Sequence, residues 1–304
     1  MKHAYLIMAH TNYQQLQLLV NLLDHPDNDF FIHIDKKSFI GDLRVKAIDS
    51  KVTIFQEISV CWGTYSLVEC TFRLIECASK AGRYDYYHLL SGQDLPVRTV
   101  TEIIEFFANN EGKEFIGFVN EALKGKTEIA RRAKYYHLFT RQRSSHKIEI
   151  FNKLFTLMER ISLFFQICVG VDRNKKDDFR LAYGSQWFSI TQRLAMTFFE
   201  NEEKIRDRFR FVKCCDELVL QTLVENTEFK DSCYGQAPHY DNLRFINWGG
   251  RKHPEIMRIP DVEEARKTDA LFARKFDIKQ DRDAIMYLLK ELKGEGYMGE
   301  NIDV

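Results

Sequence analysis

The stretch YDYYHLLSGQDLPV, residues 84–97, decides how the chain is read. Its first half is aromatic and branched, and His88-Leu89-Leu90 continues it as a strand. It breaks at Ser91-Gly92, and Asp94 stands two residues before Pro96. In an α/β protein, ligands gather in the crevice beyond the carboxyl ends of strands. A strand that ends in small and polar residues therefore reads as the floor of a site. Ser-Gly and X-Pro are also ordinary turn punctuation, so the neighbouring segments must choose.

Working towards the amino end, residues 4–9 (AYLIMA) form a buried strand, broken by His10-Thr11-Asn12, with helical spacing over 15–23. Residues 30–35 (FFIHID) are a second strand, running into Lys36-Lys37-Ser38. Residues 52–55 are a third, followed by the loop Val60-Cys61-Trp62-Gly63-Thr64-Tyr65-Ser66 and a helix over 67–81. Beyond the opening stretch come a helix over 101–109, started near Thr99 or Thr101, and a fifth strand over 114–119. Strand, polar loop, helix, strand is the pattern of a wound parallel sheet. His10, Asp35, the 62–66 loop and residues 91–94 then share one sheet edge and one cleft. Neither GxGxxG nor GxxxxGK[ST] follows the first strand, which argues against a dinucleotide fold or a P-loop.

Composition sets the outer bounds. The 304 residues carry 44 Lys and Arg against 44 Asp and Glu, so no global charge points to nucleic acid. Seven scattered cysteines with no CxxC pair suggest neither a disulfide framework nor a zinc site, and favour a reducing compartment. The early apolar run is too short for a signal peptide. No stretch approaches the roughly 20 apolar residues that span a bilayer. A cytoplasmic protein is expected.

Residues 124–180 are richer in Lys and Arg than in acids. Within them, 148–171 form a long amphipathic-to-apolar helical run. A core-facing helix with a solvated basic face is the simpler reading. A membrane-surface helix, peripheral at the inner membrane face, is the other. Further on come a strand over 182–191, a helix over 193–201, a late strand over 243–248 and a closing helix over 281–293. Cys214-Cys215-Asp216-Glu217 opens a helix over 218–226. Asp216 reads as its N-cap, while Glu217 is less well explained by capping.

Seven strings in order resemble the core-2/I-branching β-1,6-N-acetylglucosaminyltransferase family, which includes peptide O-xylosyltransferases. They are IHIDKKS (32–38), Trp62-Gly63, LLSGQDLPV (89–97), GSQWF (184–188), DELVLQTL (216–223), LRFINW (243–248) and LFARKFD (271–277). The resemblance, to a bacterial-type member, implies an α/β fold of the GT-A nucleotide-sugar type, with a mostly parallel central sheet flanked by helices. It implies one catalytic domain over 1–304. Residues 1–120 are its nucleotide-binding half, 121–180 a basic, amphipathic insertion, and 181–304 the acceptor and diphosphate half. The implied reaction is inverting transfer of N-acetylglucosamine or xylose from a UDP-sugar to a glycan or glycolipid hydroxyl, in bacterial-type surface polysaccharide or glycolipid assembly.

The resemblance also implies no metal and no other cofactor. Where most GT-A enzymes carry a metal-binding Asp-x-Asp, this chain has Ser91-Gly92-Gln93-Asp94. Asp27-Asn28-Asp29 and Asp281-Arg282-Asp283 read instead as surface acids at a turn and a helix start. Charge on the departing diphosphate then falls to fixed cations: Lys275 by its string, Lys252 or Arg251 by spacing, and Arg274. Glu217 matches the family's catalytic base, with Asp216 as runner-up. Ala9, His10 and Asp35 would border the nucleoside, and Trp62 would close over it unless it is simply a core aromatic. Asp94 would sit close to the sugar-phosphate, and Trp248, Arg131 and Gln186 would meet the acceptor or sugar.

Two other classes compete. A glycoside hydrolase needs two carboxylates flanking one bond, and a helix is expected to turn Asp216 away from Glu217. An inactive carbohydrate-binding homologue would have little use for Glu217 together with Lys275.

Overall fold

β1 (His3–Ala9) is buried along almost its whole length, so it must be covered on both faces. It lies inside a six-stranded sheet of order β3-β2-β1-β4-β7-β6. In this computed structural model the described residues are 1–41, 43–119, 128–145, 149–176, 178–236, 239–250 and 253–294.

The first half alternates as the loops and periodicity predict. α1 (Tyr13–Leu23), β2 (Asn28–Ile34), β3 (Lys51–Phe55) and α2 (Ser66–Ala81) lead into β4 (Tyr86–Ser91). β5 (Leu95–Pro96), α3 (Val100–Asn109) and β6 (Phe115–Phe118) follow. The middle is helical: α4 (Glu128–Lys134), α5 (Thr140–Ser145) and α6 (Glu149–Cys168). Then come β7 (Gly184–Thr191), α7 (Gln192–Glu200), α8 (Glu202–Phe209) and α9 (Val219–Glu225). A short hairpin, β8 (Gly235–Gln236) and β9 (His239–Tyr240), precedes β10 (Arg244–Ile246), α10 (Ile259–Lys267), β11 (Phe272–Arg274) and α11 (Arg282–Gly294).

β3, β2, β1 and β4 run parallel, whereas β7 is antiparallel to both β4 and β6. The fold is therefore α/β with a mostly parallel central sheet flanked by helices, as expected. Successive side chains of β4 alternate between two cores. Tyr86 and Leu90 join α1, α3, α10 and α11 on one face, and Tyr87 and Leu89 join α2, α7 and α9 on the other. Thr99 is the residue that starts α3, through a reciprocal capping box with Glu102.

A second sheet, β10-β11-β5, decides the geometry of the site. Leu95 pairs with Ala273 and Pro96 with Phe272, antiparallel. The Phe276 amide donates to the Gln93 carbonyl at 2.9 Å. The tail of the opening stretch is thus a strand of its own, tied to the ARKFD string.

The core-facing reading of residues 148–171 is overturned. In α6 only Glu159 is fully buried; Phe155 and Leu163 are half-buried, and most of the other large apolar side chains stand in solvent. The inward face of α6 is mixed, Glu159 and Gln166 with Phe155 and Leu163, and the larger apolar face, which matches the periodicity of a core helix, looks outward.

Candidate active site

The strand register places one set of chain ends at one edge. Ala9 pairs with Ile34 and Met8 with Ser91, so Ala9-His10, Asp35 and Ser91 emerge side by side. Because β7 runs antiparallel, it brings its beginning to that edge, and Gly184, Ser185, Gln186 and Trp187 stand beside them. A cavity of about 700 Å³ opens there. Ala9, His10, Asp35, Trp62, Gln186, Glu217, Trp248 and Arg274, all singled out in the sequence, lie on its wall.

The nucleoside side is built from β1, β2 and the loop before α2. The Asp35 carboxylate accepts from the Lys37 amide at 2.9 Å and lies 3.5 Å from Lys37 Nζ. Burial lowers the pKa of His10, with Lys275 and Lys37 adding to the fall and Asp35 opposing it. The imidazole is therefore neutral at neutral pH. Trp62 is 63% exposed and Trp248 49%, which removes the core-aromatic reading of Trp62. Gly63, at φ +73°, lets the loop pass against Cys214, whose amide donates to the Gly63 carbonyl at 2.9 Å.

That contact carries the carboxylates. Cys214 holds a left-handed backbone and starts a short 3₁₀ turn, Cys215–Glu217, ahead of α9. Asp216 is not the N-cap of α9: that position is Leu218, and no side chain caps it. Nor is Asp216 turned elsewhere, since the tight turn leaves both Asp216 and Glu217 on the cavity wall. Burial and then the Glu217 charge push the Asp216 carboxyl up to about 7, and its Oδ1 is enclosed without a hydrogen-bond partner among the described residues. Burial also raises Glu217, while Arg132 and a hydrogen bond from Tyr183 pull it back. Arg132 Nη1 lies 3.2 Å from Glu217 Oε2. Glu217 is thus a partly exposed carboxylate, steadied by a cation and able to take a proton.

Asp94 does not touch the cavity. It is 1% exposed, and its oxygens accept from the Ser91 amide and hydroxyl, each at 2.8 Å. Its Oδ1 lies 3.4 Å from Arg274 Nε, and the Arg274 guanidinium stacks over Trp187, 4.2 Å from the ring centre. Asp94 therefore positions Arg274 instead of meeting a ligand. Lys275 lies beside the cavity and is absent from its wall, and its charge acts on His10 and Asp277. Arg251 and Lys252 lie outside the described residues. Arg131 lines a second, smaller cavity, and its neighbour Arg132 reaches Glu217.

Sequence reasoning missed Arg132, Tyr183 and Trp187. Arg132 stood next to a named candidate, but helical phase alone could not say which of two consecutive arginines faces Glu217. Among the described residues no three His, Cys, Asp or Glu side chains gather as a metal cage.

Comparison with known proteins follows the same path. The profile of the Core-2/I-Branching enzyme family matches residues 3–269. Rat xylosyltransferase 2 is 23% identical over 257 residues, covering 81% of this chain and 26% of its own. The xylosyltransferase sqv-6 of Caenorhabditis elegans is 22% identical over 305 residues, covering 90% of this chain and 34% of its own. This chain thus spans about a quarter to a third of the length of those relatives, 26% and 34%. A solved active-site mutant of LgtC aligns over 99% of this chain and 98% of its own at 9% identity, with a TM-score of 0.42, a likeness too remote to carry an argument. On a match that runs from the first strand to the doorstep of β11, the chain belongs to the Core-2/I-Branching enzyme family.

Proposed function

We propose that this chain is an inverting glycosyltransferase. It moves N-acetylglucosamine or xylose from a UDP-sugar to the hydroxyl of a glycan or glycolipid, without a divalent metal. The observation that carries the reading is the placement of Glu217 and Arg274 on one cavity with the ends of β1, β2 and β4. Glu217 takes the proton of the acceptor hydroxyl as its oxygen attacks the anomeric carbon. The bond from that carbon to the diphosphate breaks on the opposite side, and UDP leaves with the electron pair. Arg274, held by Asp94 and Trp187, meets the charge that develops on the diphosphate, and Lys275 adds to the local positive field. Asp35 and His10 border the nucleoside, and Trp62 and Trp248 offer exposed rings to a base or a sugar face.

The placement of both carboxylates on one cavity favours a second reading, a glycoside hydrolase. The enclosure of Asp216 Oδ1 weighs against it, because two carboxyl groups must flank the scissile bond. A screen of UDP-sugars with and without EDTA, followed by UDP release, separates the readings. Release from UDP-xylose or UDP-N-acetylglucosamine that EDTA leaves unchanged is expected. Loss of release in EDTA overturns the metal-free part. No release from any donor, with no thermal shift on adding UDP, overturns glycosyl transfer and leaves the hydrolase or a non-catalytic homologue.

A further inference from the structure

α6 is docked inside out. Its polar side chains hold it to the protein: Glu159 accepts from His137 Nδ1 at 2.7 Å and from the Phe139 amide at 3.0 Å. Gln166 bonds both the amide and the carbonyl of Tyr136, at 2.8 and 2.9 Å. Apart from Phe155, which stacks on Phe139, and the half-buried Leu163, most of its large apolar side chains point the other way. Ile150, Leu154, Leu157, Ile161 and Phe164 recur at intervals of three and four, which puts them on one helix face. They are between 47% and 70% exposed. A contiguous apolar stripe of this kind marks an interaction surface.

Beside it lies a cavity of about 170 Å³ between α4 and α6, lined by Arg131, Arg132, His137 and Lys213 with Leu163 and Ile167. Arg131 and Lys213 make no ion pair among the described residues. Arg132 links this cavity to the main one, where it meets Glu217. The surrounding sequence is lopsided: residues 128–176 hold eleven Lys and Arg against four Asp and Glu, in a chain with 44 of each.

We propose that this cationic cavity and the outward face of α6 are one binding site for an anionic phospholipid at a membrane surface. The headgroup phosphate enters the cavity, where the guanidinium and ammonium groups of Arg131, Arg132 and Lys213 suit its oxygens. The hydrocarbon lies against the apolar stripe, as in an interfacial helix. No helix among the described residues is long and apolar enough to cross a membrane, so the contact is peripheral. A second copy of the chain is a poor occupant, because it would bring the same excess of cations against this one. A soluble anion would leave the stripe uncovered. The site sits one side chain from Glu217 and so turns the main cavity towards acceptors held at the bilayer. That consequence rests on the proposed transfer reaction, whereas lipid binding itself does not.

Sedimentation of the full chain with vesicles tests this without turnover. Phosphatidylcholine vesicles containing phosphatidylglycerol should bind the chain, and phosphatidylcholine alone should bind it weakly. Arg131→Glu with Lys213→Glu should weaken binding about 25-fold or more, at roughly fivefold per basic residue near an anionic surface. Phe164→Ser with Phe165→Ser should weaken it as well, and thermal unfolding of each variant confirms that it is folded. Failure of the wild type to bind anionic vesicles overturns the proposal. So does unchanged binding in either folded variant, or self-association lost in the Phe164→Ser, Phe165→Ser variant with no vesicle binding.

Discussion

Glu217 is one-third exposed, and burial and two neighbours set its chemistry: burial raises its pKa, and Arg132 and Tyr183 draw it down. A base must be free of its proton to act, so activity should rise with pH through this titration. Glu217→Gln keeps the shape and removes the base. Transfer should fall by about 10²–10⁴-fold, with the thermal shift on UDP retained; transfer near the wild-type rate would end this assignment. Arg132→Met takes away the cation that favours the charged form. The acid limb of kcat/KM should then move to higher pH, a displacement that a purely structural role for Arg132 would not produce. Glu217 and the two candidate stacking rings were legible in the sequence. Arg132 was not, because its partner lies 85 residues away.

β7 shows what an element adds. The GSQWF string lies on an expected strand and carries part of the family resemblance, and its glycine has a packing reason as well. A Cβ on Gly184 would fall 1.8 Å from the Gly117 carbonyl oxygen, at the irregular register between β6 and β7. The atoms it would meet, in Gly117 and Phe118, are all backbone, so no flexible side chain can yield. Gly184→Ala should destabilise the fold by about 1–3 kcal/mol and raise KM by displacing Ser185–Trp187 from the cavity wall. Denaturant midpoints with donor KM check both, and an unchanged midpoint would rule out the clash. α6 makes the opposite case. Burying one Leu or Phe is worth roughly 1.5–3 kcal/mol, and periodicity correctly found a helix with such residues on one face. It could not tell which face looks inward, because Glu159 and Gln166 find their partners in the separate 136–139 segment.

Across the whole molecule a buried polar chain ties the two sheets together. His3 Nδ1 and His88 Nε2 are 2.9 Å apart, His88 Nδ1 meets Ser189 Oγ at 2.8 Å, and Arg244 reaches the same hydroxyl at 2.9 Å. Burial lowers His3 from 6.5 to about 4 and His88 well below 6.5. The unfolded chain binds those protons first. Their contribution is therefore whole above the unfolded value of 6.5 and is lost as pH falls towards the folded value of about 4. Glu114 acts the other way. Burial raises it from 4.5 to about 7, so between those values the folded state holds the extra proton and gains stability as pH falls. Glu114→Gln removes that opposing effect, and the loss of stability on acidification from pH 6.5 to 4.5 should become steeper. Urea unfolding across this range reads the two slopes, and equal slopes would mean that Glu114 does not take up a proton on folding.

By itself the sequence determined the α/β class, most of the strands and helices, and the polar chain ends that border the cleft. These follow from composition and periodicity, which act over a few residues along the chain. Tertiary structure alone decided the pairing of β5 with β11, the antiparallel course of β7, the withdrawal of Asp94 beneath Arg274, the choice of Arg132 over Arg131, and the outward face of α6. Each of these is a choice of partner across a long separation. A side chain's own character does not make that choice; it is made by which backbones the two sheets bring together. The stretch over 84–97 belongs to both accounts: its sequence marked the floor of a site, and its pairing with β11 supplied the cation above it.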